Sequence, residues 1–318
     1  MKLINSMKYW ILILIAILSG CKGDNIILVN PIEEAQQNRH ELLIQKLEDA
    51  NADDVMVVAH RAVWDDAPEN SIKSIEDAIA LGVDMVELDV RMTSDGVLIL
   101  MHDESIDRMT DGSGEVTNMT LEEIRAHKLR NRNGGVITEF SVPTLEEAML
   151  AAKDKILVRI DKAHSLGVLD KVYEVLEATE TIDHACILVS QSFTSGNVVF
   201  EWRDIVDNVY FSPGVDADGV KGPGQVAGWM QYPKAVVIES SFADDENITI
   251  DWRNIRAQGA RIMVYTGSSG SSGGHDDDVS LTNIDEGYGW LIDRGVNMIQ
   301  TDQSAYLLNY LRLRGLHD

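Results

Sequence analysis

The chain has almost no cysteine and no surplus of positive charge. Only Cys21 and Cys186 occur in 318 residues, so nothing downstream of Cys21 can form an intramolecular disulfide, and stability must come from packing or a bound cation. Lysine and arginine number 27 against 52 aspartate and glutamate, a formal charge of -25. That balance repels nucleic acid and anionic membrane surfaces and suits cations. No internal repeat is visible. Long apolar runs are missing as well, apart from Tyr9 to Leu18, preceded by Lys2 and Lys8. That run is too short for a stable membrane anchor and reads as an export signal.

The signal ends in Leu18-Ser19-Gly20-Cys21, which resembles the bacterial lipobox, where the cysteine is lipidated and becomes the mature N-terminus. The expectation is a protein held by lipid on Cys21 at the bacterial cell envelope, periplasmic or outer membrane. Residues 1-20 are then the signal, 21-52 a tether and leader helix, and 53-318 one domain large enough for a substantial core. In the leader, Leu42, Leu43 and Leu47 recur at helical spacing. Beyond it, the apolar stretch ending at His60-Arg61 is a strand, and residues 69-82 form a helix stopped at Gly82. Further strands are expected at 85-90, 97-101, 156-161, 185-190, 207-211, 235-239, 261-265 and 297-300, and helices at 144-152, 166-178 and 285-294. Alternating strands and helices predict an α/β fold, a TIM-type (β/α)8 barrel. It is somewhat irregular, because the ninth strand folds back through Ser94-Asp95-Gly96.

The strand Met85-Val86-Glu87-Leu88-Asp89-Val90 raises a question of charge. Side chains alternate along a strand, so Glu87 and Asp89 share one face. Two adjacent carboxylates are costly to bury unless a cation sits between them. Polar residues also close other strands: His60, His102, Asp161, Gln191, Glu239 and Asp302. In a barrel those ends form the active-site face.

The order His60-Arg61, Glu69-Asn70, Glu87-x-Asp89, His102-Asp103 and then an acid on a later strand resembles the glycerophosphodiester phosphodiesterase family. The resemblance covers residues 55 to about 310 and is densest over 57-103. It implies a barrel, a divalent cation and two catalytic histidines, His60 and His102, with Glu87, Asp89 and Asp161 as metal ligands and Arg61 on phosphate. The implied reaction is hydrolysis of a glycerophosphodiester to glycerol 3-phosphate and an alcohol, one histidine accepting a proton and the other donating one. Carboxylate ligands suit Mg²⁺ or Ca²⁺. Expected partners are a small phosphodiester and, through the anchor, a membrane. The alternatives are phospholipase D-like cleavage of intact lipid headgroups, and a noncatalytic lipoprotein that binds a phosphorylated ligand.

The fourth strand departs from the family pattern, which has Glu-x-Lys there. Asp161 and Lys162 are adjacent, so a regular strand points them to opposite faces and puts Arg159 on the face of Asp161. Arg159 is therefore a candidate substrate contact, with Lys162 and Glu69 as others. Glu69 is alternatively a structural partner of Arg61. Asp302 is either a second-layer partner or, slightly favoured, a helix cap. The glycine- and serine-rich 266-280, with His275 and Asp276-Asp278, reads as a solvated mobile loop. His127, His164, His184 and His317 fit exposed positions without a role.

Overall fold

The computed structural model describes residues 31-131, 135-163, 167-190 and 207-318. Cys21, Gln191 and His164 lie outside them.

Nine strands occur among the described residues: β1 (Met56–Ala59), β2 (Met85–Met92), β3 (Leu98–Leu100), β4 (Leu157–Asp161), β5 (Ala185–Val189), β6 (Tyr210–Asp216), β7 (Val237–Ser241), β8 (Arg261–Tyr265) and β9 (Met298–Thr301). All pair in parallel except β3, and β1 pairs with both β2 and β9, so the sheet closes on itself. The result is the eight-stranded barrel that alternating elements imply. The extra strand, β3, is antiparallel to the outer end of β2, with Val90 opposite Leu100. Gly96, at φ 78, supplies the left-handed residue of the turn between them.

The barrel interior changes character from bottom to top. At the lower end Met56, Val58, Met85, Leu157, Cys186, Met263 and Met298 form an apolar plug. The leader helix α1 (Pro31–Glu48) covers it with Leu43 and Leu47. Each such buried side chain stabilises by roughly 1.5–3 kcal/mol, so α1 is part of the folded body. One layer up the interior is polar: Glu87, Arg159, Ser212 and Gln300 are buried, and Glu239 is partly buried. The outward-facing Val86, Leu88 and Val90 pack instead into the larger core shared with the surrounding helices. Alternation along β2 thus sends aliphatic side chains outward and acids inward. Helix α2 (Ile72–Leu81) follows β1. It starts at a capping box on Ser71 and stops at Gly82 in the left-handed region.

Four expectations need correction. β6 spans 210-216, not 207-211, because Pro213 and Gly214 continue the strand rather than end it. Residues 285-294 are a π-helical turn, Asp285–Gly289, followed by a short helix, Trp290–Asp293. Segment 266-280 is structured: it holds a 3-10 turn and the helix Asp277–Thr282, and the buried Asp277 carboxylate accepts from Thr266, Tyr288 and Thr301. His184 is buried, and His317, though only partly buried as a residue, has its side chain shielded from solvent. His184 binds Asp183, and His317 Nε2 lies 2.9 Å from buried Asp84.

Candidate active site

The carboxyl ends of the strands open onto a cavity of about 780 Å³. Its wall includes His60, Arg61, Glu87, Asp89, His102, Arg159, Asp161 and Lys162, so eight of the nine candidate residues in the described chain converge there. The ninth, Glu69, is buried behind the wall. Its carboxylate accepts from Arg61 Nη1 at 2.9 Å and from both terminal nitrogens of Arg108. The structural ion pair with Arg61 is therefore its position, extended by Arg108.

Register brings the acids together. Glu87 pairs with Arg159 and Asp89 with Asp161 across the β2–β4 ladder. One donor oxygen from each of Glu87, Asp89 and Asp161 lies within 4.8 Å of the others. Burial, and then repulsion from Asp89, push Glu87 up to about 8. Burial also pushes Asp89 upward, but the Lys162 ammonium 2.5 Å away outweighs it and holds the carboxyl below its usual range. Asn70 adds to this hold, donating from Nδ2 to Asp89 at 2.8 Å and accepting the Asp89 amide at 3.1 Å. Three convergent carboxylates, one of them held toward its protonated form by burial and by Asp89, fit a divalent cation. Their all-oxygen donor set suits Mg²⁺ or Ca²⁺.

Strained backbone builds the rest. Arg61, Ala62, Asn70 and Lys162 all have positive φ, between 52 and 65, costing of order 1 kcal/mol each. The turn at Arg61 aims its amide at Glu87 Oε2, 3.0 Å away. Arg61 Nε is buried with no hydrogen-bond partner among the described residues. At Lys162 the same left-handed conformation ends β4 and swings the side chain back onto Asp89. Strand alternation is broken at that residue, so Lys162 faces the cavity along with Arg159. The guanidinium of Arg159 is occupied by Glu239 at 2.5 Å, Gln300 at 2.7 Å and Ser212 at 3.3 Å. It holds the cavity floor together and pairs with Glu239, not Glu87.

Each histidine has a carboxylate behind it. His60 Nδ1 lies 2.7 Å from Asp302 Oδ1, and His102 Nδ1 lies 2.6 Å from Asp103 Oδ1. A carboxylate at Nδ1 fixes the tautomer with Nδ1–H donating, which leaves Nε2 for proton transfer. Burial lowers the His60 pKa, but Asp302 and Glu87 outweigh it and the net shift is upward. Asp103 is held down to about 2, chiefly by its hydrogen bonds from Arg108. Asp302 is thus a histidine partner and not a cap; the helix that follows, Ser304–Arg314, has Gln303 at its N-cap with no side-chain cap. Sequence reasoning also missed Arg108, which ties Glu69 to Asp103, and Tyr265, whose hydroxyl is 3.3 Å from His60 Nδ1. Neither lies in a recognisable motif.

A model of the glycerophosphoryl diester phosphodiesterase family matches residues 60–305. The chain belongs to this family. Glycerophosphodiester phosphodiesterase 1 of Mus musculus is 44% identical over 103 residues, covering 30% of this chain and 30% of the mouse protein. The chain thus spans under a third of that curated relative. A glycerophosphoryl diester phosphodiesterase from Parabacteroides distasonis shares the fold at a TM-score of 0.71 and 21% identity, covering 86% of this chain and 92% of its own. An Oleispira antarctica phosphodiesterase, solved with the product sn-glycerol-3-phosphate, matches at a TM-score of 0.60 and 19% identity over 83% and 99% of the two chains.

A second group of potential ligands in this family member, His40, Asp183 and His184, lies at the opposite end of the barrel beneath α1. Its geometry opposes chelation. The two imidazoles stack 3.7 Å apart and within 6° of parallel, so in-plane lone pairs cannot both aim at one ion between the rings. His184 Nε2 accepts the Asp154 amide while Nδ1 serves Asp183. The cluster is a clasp between α1 and the barrel floor.

Proposed function

We propose that the protein hydrolyses glycerophosphodiesters to glycerol 3-phosphate and an alcohol, with a divalent cation on Glu87, Asp89 and Asp161. The observation carrying this reading is the meeting, in one cavity, of three carboxylates with two carboxylate-backed histidines. Family membership and the product bound to the Oleispira enzyme support it. When bound, the cation supplies charge neutralisation at the phosphoryl oxygens. Arg61, whose Nε makes no hydrogen bond among the described residues, and Lys162 hold the phosphodiester from the protein side. One of His60 and His102 takes the proton of the attacking oxygen and the other protonates the leaving alcohol, each through Nε2. Asp302 and Asp103 keep the rings oriented and favour the transient imidazolium. Burial of Glu87 and Arg159 keeps the floor rigid and dry, which strengthens these interactions.

The test is turnover of glycerophosphocholine and of intact phospholipid by the purified protein, with and without chelator. Hydrolysis of the first alone, abolished by chelator, supports the reading; cleavage of intact lipid favours the phospholipase D-type alternative. For location, we propose lipid attachment at Cys21 and an envelope address. No helix among the described residues is long and apolar enough to cross a membrane. Fatty-acid labelling that persists in Cys21→Ala would refute the anchor.

A further inference from the structure

Resting on that reading of the site, we infer that Arg91 determines specificity. It binds a second negative charge on the alcohol seated beside His102, so the enzyme favours diesters whose headgroup is itself anionic.

Glu87, Asp89 and Arg91 occupy alternate positions of β2 and share its inward face. At about 3.3 Å per residue, Arg91 stands roughly 7 Å above Asp89, at the mouth of the cavity whose wall it joins. That sets its backbone one rung beyond the carboxylates, nearer the mouth than Glu87 and Asp89. Arg91 is also beside the second histidine, because its Nη2 donates to the His102 carbonyl at 3.0 Å. A group it contacts would therefore belong to the alcohol on the His102 side.

Its charge is the least committed of the cations in the wall. Arg159 is paired with Glu239, Lys162 with Asp89, and Arg61 with Glu69, in each case with a carboxylate held largely out of solvent. Among the described residues Arg91 pairs only with Glu104, 3.8 Å away and 81% exposed, a pairing worth little in water. Its Nε is buried with no hydrogen-bond partner among the described residues. A planar guanidinium with donors to spare matches a carboxylate or phosphate.

Glycerophosphoinositol and glycerophosphoinositol 4-phosphate share one scissile bond and differ by a single phosphate, so they isolate the effect. Wild type should show the higher kcat/KM on the phosphorylated diester. Arg91→Gln should lower the ratio of the two kcat/KM values at least tenfold, mainly through KM, and Arg91→Lys should recover part of it. Added salt should narrow the preference in wild type and not in Arg91→Gln. A ratio within twofold of wild type in Arg91→Gln, with both substrates slowed alike, would mean that Arg91 merely steadies His102, and would overturn the inference while leaving the phosphodiesterase reading intact. Failure of wild type to turn over either compound while it still hydrolyses glycerophosphocholine would overturn this inference alone; failure on all three would overturn the phosphodiesterase reading with it.

Discussion

Glu87→Gln tests the cation reading through stability, without any activity assay. In the folded protein Glu87 is pushed from 4.5 up to about 8 by burial and by Asp89. The folded state therefore holds a proton that the unfolded state has lost, and the stability of the metal-free protein falls as pH rises from about 4.5 to about 8. At pH 7 the interval above 4.5 corresponds to about 3 kcal/mol, at 1.36 kcal/mol per unit. Gln keeps a carbonyl oxygen for the Arg61 amide and removes the charge. In chelator at pH 7 the variant should thus be more stable than wild type by up to about 3 kcal/mol, or roughly 6 °C in Tm. At pH 4.5 the advantage should vanish. Mg²⁺ or Ca²⁺ at about 1,000 times its Kd should reverse the order, since that adds about 4.1 kcal/mol to the wild type and the variant has lost a ligand. Urea titrations followed by tryptophan fluorescence measure all of this. A Glu87→Gln protein less stable than wild type in chelator at pH 7, together with a wild type indifferent to cation, would refute the reasoning.

His60→Ala and His102→Ala should each remain folded and lose about 10²- to 10⁴-fold in kcat; turnover of either within threefold of wild type would contradict the acid–base assignment. Arg159→Ala should cost about 3–5 kcal/mol by leaving Glu239 without its counter-charge, with or without a divalent cation, whereas Lys162→Ala should raise KM at least tenfold and lose stability chiefly in chelator, where buried Asp89 is left without its counter-charge; denaturation series with and without cation, beside the kinetics, separate the two. Asp84, buried beneath α1, is pushed up by burial, but His317 and Lys46 outweigh it and the net shift from 3.8 is downward. The stability it contributes is therefore present above pH 3.8 and lost as pH falls through its lower folded value, and Asp84→Asn should flatten that acid limb in pH-dependent denaturation.

Much of the barrel is legible because its signals are local. β2 alternates aliphatic and acidic residues, and Ser71 and Gly82 mark the two ends of α2. The ionisable residues at the ends of β1, β2 and β4 could be recognised as a rim because every strand of a parallel barrel delivers its carboxyl end to the same side. Departures came where a single residue changed the backbone or where a partner lay far away in sequence. Pro213 and Gly214 look like a strand end, yet they pass through the barrel wall, Gly214 lining the cavity. The 266-280 segment has a loop's composition, but buried Asp277 gathers hydroxyls from residues 266, 288 and 301, and this rigidifies it. No local pattern reports such a network. The partner of Asp302 and the role of Arg108 were hidden for the same reason: one meets His60 across 242 residues, the other meets Glu69 across 39.

Lys162 shows how strain and function meet in this site. On an ideal strand it would point away from Asp161, and the inward position would fall to Arg159. Both side chains in fact face inward, because the left-handed turn at Lys162 reverses its direction immediately after β4 ends. The strain costs of order 1 kcal/mol, and the ion pair with Asp89 offsets it. The two cations then divide the work by depth. Arg159 is 2% exposed and committed to Glu239, Gln300 and Ser212, so it fixes the floor on which Glu87 stands. Lys162 has a flexible stem, with Asp89 as its close partner and Asp161 at 3.7 Å; in the proposed reaction its ammonium would turn toward phosphate once a cation took over the charge of Asp89. On that proposal the adjacent Asp161-Lys162 arrangement delivers the same two groups to the cavity that the family pattern places two residues apart.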